Sequence, residues 1–420
     1  MILKKFTNIF VPPDKVHMPA RRHDLDWLRI LLFALLIIHH IGMFYVQNWG
    51  WHAKSQYNYQ WLESILLIVE PWRMPAIWFI SGIAIRFILA KVSCWRYIAL
   101  RSYRLLLPLL FGILVVVPPQ LYIEMTAKAE ITMNYWQFLH AFFSDNHQIF
   151  SNYQYGIWPH IDVNHLWYLR SLWYYSLYLL ILMPVLNSQF IKQLTDWLAQ
   201  THGAITLLSL TIPIALIQLL WPMDTARYPL GFTFLLYGYL LGWHQGHWQK
   251  LHHAFKPLGL SYVMVSFCFI GFYNLYWLDV IHDKQVPEII IQLGMILYAI
   301  ARVIGLLVIM SCTRFLAQKT SASLRYFNDA VYPFYILHQT IIVVTGYYLT
   351  QLTLGGTIES FLLVLSTICL CFLGFEIIRR SEFLRPFFGL TLQKQYPKKL
   401  TRIGFIASAI VISPLILRLI

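Results

Sequence analysis

Long apolar stretches follow one another along almost the whole chain, parted by short polar or basic segments. A helix that crosses a bilayer needs about 20 mostly apolar residues. Ten stretches meet that length or come near it, at about 27–46, 62–86, 105–122, 166–187, 203–221, 229–243, 258–277, 289–312, 331–350 and 357–378. The pattern predicts an all-α fold, a polytopic transmembrane helical bundle of ten spans. The tail at 403–420 is apolar but holds Pro414 and Arg418, so it either forms an eleventh span or lies along the interface. Residues 1–22 lack an apolar core and are broken by Pro12 and Pro13, which argues against a removable signal peptide. The expected organisation is a cytoplasmic segment at 1–26, a transmembrane domain at 27–378, and a basic segment with the apolar tail at 379–420.

The basic residues orient these spans. Lys4, Lys5, Lys15, Arg21 and Arg22 precede the first, and Arg86, Lys91, Arg96, Arg101 and Arg104 lie between the second and third. The same alternation continues through Lys192, Lys250, Lys256, Arg314, Lys319 and Arg325 to the cluster at 379–402, whereas the opposite loops hold Lys54, Lys128, Arg227 and Lys284. Short cytoplasmic loops concentrate Lys and Arg. Both ends of the ten-helix body are therefore expected in the cytoplasm.

Composition sharpens this picture. Of 420 residues, 58% are hydrophobic and 12% charged, against about 25% charged in soluble domains. The net charge of +14 lies in loop clusters and not along one amphipathic face, which argues for a lipid bilayer and against nucleic acid as partner. Cys94, Cys268, Cys312, Cys369 and Cys371 follow no paired or metal-binding spacing. The outer segment between residues 123 and 164 is rich in Tyr, Trp, Asn and His, which suits an interfacial aromatic belt or a lid that contacts sugars.

Ionisable groups at bilayer depth cost at least about 2.5 kcal/mol each and call for a reason. They are His39, His40, Glu70, Arg73, Arg170, Arg302 and His338. Arg29 and His40 are eleven residues apart and share a helix face, while His39 points about 100° away. The rise from Arg29 puts His40 roughly 16 Å deeper. This spacing selects His40 over His39, with a helix-packing histidine as the plain alternative. Glu70 and Arg73 form a one-turn pair with Pro71 between them, expected to break the helix there; mutual neutralisation also accounts for them. His338, with Tyr335 nearly a turn before it, reaches a depth like that of His40. Arg101 and Arg104 suit either topology or an anion cradle. Ser81-Gly82 suits close helix approach. His160, Asp162 and His165 only superficially resemble a metal set, and no metal is expected.

In order along the chain, Leu25-Asp26-Trp27-Leu28-Arg29 with His40, Phe79-Ile80-Ser81-Gly82, Arg101-Ser102-Tyr103-Arg104, His165-Leu166-Trp167-Tyr168 and Tyr332-Pro333-Phe334-Tyr335-Ile336-Leu337-His338 resemble the signatures of the membrane-bound acyltransferase family 3. The resemblance implies that acyl-CoA is the donor substrate, with no bound cofactor. It implies a catalytic group of His40, Arg29 and Asp26, and donor binding by Arg101 and Arg104. Glu70, Arg73, Ser81, His165, Arg170, Tyr335 and His338 are the candidates for lining the site. Direct transfer with His40 as base and an acyl-histidine relay both fit. Trp49-Gly50-Trp51-His52, Pro71-Trp72-Arg73 and Val117-Pro118-Pro119-Gln120 are similar to a glucan-modifying branch, which implies a glycan acceptor and succinylation at a bacterial inner membrane. His39 stands where the family more often has an apolar or aromatic residue, and Asn328-Asp329 where small hydroxyl residues are usual. The rival reading is a transporter or flippase with a buried His/Arg pathway, although paired interrupted helices, the usual pointer to a carrier, are absent from the pattern.

Overall fold

The computed structural model describes residues 21–144, 148–153, 160–316, 319 and 321–392. The tail at 403–420 lies outside them. Among the described residues there is no β-strand, and ten long helices dominate. They are α1 (His23–Met43), α2 (Glu70–Leu89), α3 (Cys94–Phe111), α4 (Trp167–Leu186), α5 (Gly203–Leu220), α6 (Met223–Leu241), α7 (Phe255–Phe272), α8 (Glu288–Ser311), α9 (Ala322–Thr350) and α10 (Gly356–Arg380). Eight helical segments among the described residues are long and apolar enough to cross a membrane. The helices α6 and α9 fall outside that set. They stand where the sequence predicts two further spans, and α9 carries Arg325, Asp329, His338 and Gln339 in its 29 residues.

The chain divides into two compact units. The first takes the described residues of Met1–Leu32, Gln60–Cys94 and Tyr178–Leu324. Within it, α2 packs on α6 and α8, and α8 also meets α5 and α7. The crossing of α2 and α6 is tight because glycines face each other's backbone. A Cβ on Gly82 would sit 2.0 Å from the Leu235 carbonyl oxygen, and one on Gly238 would sit 1.8 Å from that of Phe79. Small residues of this kind let helix backbones approach closely. Arg86 Nη1 then donates to the Tyr239 carbonyl at 3.0 Å across the same crossing.

The expected break at Pro71 falls slightly earlier. A turn at residues 67–69 ends the short helix Gln60–Leu66, and α2 restarts at Glu70 with Pro71 in its first turn. Proline is favoured there because its missing N–H would be unsatisfied in any case. Glu70 and Arg73 therefore lie on one continuous helix.

The second unit takes Phe33–Tyr59, Trp95–Leu177 and the described residues from Arg325 onward. Here α3 runs into a wide π-helical turn at Gly112–Val116, followed by the helix Pro118–Ala127. Pro118 and Pro119 lack N–H groups, which upsets the regular helical ladder. Gln120 N bonds the Val117 carbonyl instead, and the Val116 carbonyl accepts the Thr340 hydroxyl at 2.6 Å. This irregularity turns Gln120 toward α9. The segment between α3 and α4 forms a small core of its own, built on Met125, Ile131, Phe138, Phe142 and Phe150.

Candidate active site

A cluster of imidazoles occupies the second unit. On α1, His40 Nδ1 lies 2.9 Å from His338 Nε2 on α9, and the two rings stack with centroids 5.0 Å apart. His338 Nδ1 faces two backbone carbonyls of its own helix, Tyr335 at 2.8 Å and Phe334 at 3.2 Å. Carbonyls only accept, so Nδ1 of His338 carries the proton and its Nε2 holds the lone pair. With both rings neutral, His40 must donate from Nδ1, which leaves the lone pair of His40 on Nε2. His39 turns elsewhere. It is buried and stacks on Trp49 at 6.1 Å.

The third imidazole approaches from the short helix that precedes α4. His165 Nε2 donates to the Ile336 carbonyl at 3.0 Å, its Nδ1 accepts from the Gln120 amide at 3.3 Å, and its ring stands edge-on to His338 at 5.4 Å. The Tyr335 hydroxyl fixes this segment by donating to the His165 carbonyl at 2.6 Å. Gly112 makes room beside it, since a Cβ there would meet Leu166 at 2.2 Å. Phe33, Tyr168 and Tyr335 wall the cluster with edge-to-face contacts.

A polar extension continues from these rings, through residues that periodicity does not single out. The Gln339 amide nitrogen reaches Asn164 Oδ1 at 2.9 Å, Gln120 Oε1 at 3.2 Å and His52 Nε2 at 3.0 Å. His52 Nδ1 in turn lies 2.5 Å from Glu124 Oε2. Glu124 also takes Lys128 at 2.6 Å, and the Tyr153 hydroxyl links Lys128 to Glu130. Burial opposes the Lys128 charge, but its hydrogen bonds to Glu124 and Tyr153 outweigh it and hold the ammonium above its usual range. Burial, then the bond to Glu130, pushes the Tyr153 phenol up to about 12.

The other selected residues lie as follows. Arg101 and Arg104 are on α3 in the same unit. Arg101 leans on the Tyr97 ring, with its centre 5.6 Å from the centroid, and Arg104 is exposed. The Tyr332 hydroxyl on α9 donates to the Arg104 carbonyl at 2.8 Å. Arg170 is half-buried in the first turn of α4.

Asp26, Arg29, Glu70, Arg73 and Ser81 belong to the first unit. Asp26 pairs with Arg21 at 2.8 Å and lies 3.8 Å from Arg29, at a cavity of about 280 Å³ that Arg21, Arg22 and Arg29 line. Arg73 is buried against Glu70 at 2.8 Å. The Ser81 hydroxyl donates to the Ile77 carbonyl of its own helix at 2.7 Å, which suits the packing account of Ser81-Gly82. His160 stacks on Phe150 at 4.2 Å and donates to the Phe142 carbonyl, which is a packing role.

A family model described as an acyltransferase domain, Acyl_transf_3, matches residues 22–376. The chain belongs to this acyltransferase family. No curated protein and no solved structure matches it. Membership together with the apolar helices makes the chain a multi-pass membrane acyltransferase. The matched range covers every residue that the sequence selects for the site. It also covers five that the sequence reading missed, His52, Gln120, Glu124, Asn164 and Gln339. The hint for His52 was its place in Trp49-Gly50-Trp51-His52, but no helical spacing linked it to Glu124.

Proposed function

We propose that this acyltransferase takes its acyl group from a cytoplasmic acyl-CoA and transfers it to a hydroxyl of an envelope glycan, with His40 as general base. The observation that carries this reading is the 2.9 Å contact between His40 and His338. The neutral pair leaves a basic nitrogen at His40 Nε2. A hydroxyl held there gives its proton to Nε2 as its oxygen attacks the thioester carbonyl. The His338 lone pair then stabilises the His40 imidazolium, much as a carboxylate orients the histidine of a catalytic triad. As the C–S bond breaks, His40 returns the proton to the departing thiolate. General base catalysis of this kind contributes about 10²–10⁴-fold.

Arg101 and Arg104 are the proposed phosphate contacts of the donor, because guanidinium groups suit phosphate oxygens. The amide of Asn164, with His52 and Glu124, supplies donors and acceptors of the kind that polyol acceptors require, and the buried Gln339 amide holds Asn164 and His52 in place. Similarity to glucans biosynthesis protein C in the motifs quoted above favours a periplasmic glucan as acceptor and succinyl as acyl group. It also favours a bacterial inner membrane, with ten spans and a cytoplasmic N-terminus.

The test uses the full chain, purified and placed in lipid nanodiscs. Thiol release from succinyl-CoA and acetyl-CoA is followed with and without a β-glucan, and the glucan is then weighed by mass spectrometry. Acyl addition to the glucan that depends on His40 is the expected result. Thioester left intact with both donors would sink the reading.

A further inference from the structure

The indole nitrogen of Trp51 is buried and has no hydrogen-bond partner among the described residues. Buried donors are nearly always paired, so an orphan asks for an explanation. The ring that carries this one lies beside the proposed base. The Trp51 and His40 rings are 5.3 Å apart and tilted by 53°, and the Trp51 and His52 rings are 5.4 Å apart. His40 and Trp51 both keep part of their surface open, whereas His338 and Gln339 are closed off. A substrate that reaches His40 therefore comes up against the indole.

We propose that Trp51 Nε1–H is the oxyanion donor of the transfer reaction, taking the acyl carbonyl oxygen as negative charge builds on it. This rests on the reading of His40 as the base. As the acceptor oxygen bonds to the carbonyl carbon, its proton goes to His40 Nε2 and the carbonyl electron pair moves onto oxygen. That oxygen receives the Trp51 hydrogen bond. When the carbonyl re-forms, the C–S bond breaks and the thiolate leaves with the proton from His40.

The chemistry of the indole fits this part. It donates and does not accept, and it does not titrate, so it never competes with His40 for the proton. A donor with no partner at rest has nothing to give up when the charged oxygen appears, which is the condition for strong transition-state stabilisation. Trp51 sits in a non-helical stretch between Met43 and Gln60, pinned on either side by Lys54 on the Val46 carbonyl and by Ser55 N on that of Phe44.

The deciding experiment replaces Trp51 in the full chain with benzothienylalanine, which keeps the ring shape and puts sulfur in place of N–H. Trp51→Phe and His40→Ala are measured beside it, as thiol release from succinyl-CoA in nanodiscs. The expected result is a fall in kcat of about 10²–10³-fold, with KM little changed and the melting temperature no lower than that of the natural chain. Full kcat in the benzothienyl variant beside an inactive His40→Ala overturns the role of Trp51 and leaves the base in place. A rise in KM alone overturns it too, and makes the indole a ground-state binding group. Full activity of His40→Ala overturns the reading beneath it.

Discussion

His338 presents Nε2 to His40 at 2.9 Å while its Nδ1 is held at 2.8 Å by the Tyr335 carbonyl. One proton arrangement satisfies both contacts in the neutral pair, so His338 sets which nitrogen of His40 is basic. His338→Ala should therefore lower kcat by about 10²–10⁴-fold. His338→Gln should recover part of that loss, because its side-chain oxygen can still accept from His40. Thiol release from acyl-CoA measures both, and a His338→Ala variant as fast as the natural chain would remove His338 from the catalytic pair.

His39 and His40 separate cleanly in the same assay. His40→Ala is expected to be inactive. His39→Ala loses a buried ring stacked on Trp49 and should cost stability while keeping most of the rate. An inactive but well-folded His39→Ala, beside an active His40→Ala, would turn the working face of α1 by about 100°.

The helices and the imidazole pair were legible in the sequence for physical reasons. Apolar runs of bilayer length leave little choice of fold, and a histidine at bilayer depth is costly enough to stand out. The depth reading brought His40 and His338 to one level, and the structure places them in contact. The extension through Gln120, Asn164, Gln339, His52 and Glu124 was illegible, because amides and loop residues carry no periodic signal. Gln120 turns toward α9 only through the π-helical turn and the two prolines after it, which a span-by-span reading passes over. The break near Pro71 was misplaced by a few residues, since a proline inside a one-turn ion pair reads equally well as a helix start or a helix interruption.

The crossing of α2 and α6 should be intolerant of any side chain. A Cβ at Gly238 would lie 1.8 Å from the Phe79 carbonyl oxygen, and backbone cannot swing aside as a side chain can. Gly238→Ala should destabilise by about 1–3 kcal/mol, read as a lower melting temperature in detergent. Gly203→Ala, where the added carbon meets nothing within 4 Å, serves as the control. Equal melting of the two variants would contradict the close approach.

Reporter fusions check the ten-span proposal. Fusions at Lys91, Lys250 and Lys394 should report the cytoplasm, and those at Lys128 and Lys284 the far side. The sites bracket α6 and α9, the two helices outside the apolar set. If α6 alone fails to cross, Lys250, Lys284 and Lys394 reverse their expected signs together, and if α9 fails as well, Lys394 returns to its expected side.

Arg101 and Arg104 give the sharpest kinetic signature. They lie on one face of α3, and the Arg104 carbonyl is tied to α9 through Tyr332 at 2.8 Å. Tyr332 is six residues before His338, roughly 9 Å along the helix axis, so the guanidinium pair is set well back from the reacting atoms. Groups at that remove hold the donor equally in the ground and transition states, which raises KM when they are lost and leaves kcat alone. A charge-assisted hydrogen bond is worth about 1.5–3 kcal/mol, and the exposure of Arg104 places its share at or below the low end. Arg101→Ala with Arg104→Ala should therefore raise KM for acyl-CoA by about ten- to a hundred-fold, at 1.4 kcal/mol per factor of ten. Raising the salt concentration should weaken the natural chain toward the double variant, because exposed charges are screened. If kcat falls instead while KM and its salt dependence stay put, the pair acts on the chemistry and the phosphates are held elsewhere, with the arginine-lined cavity beside Asp26 as the next place to test.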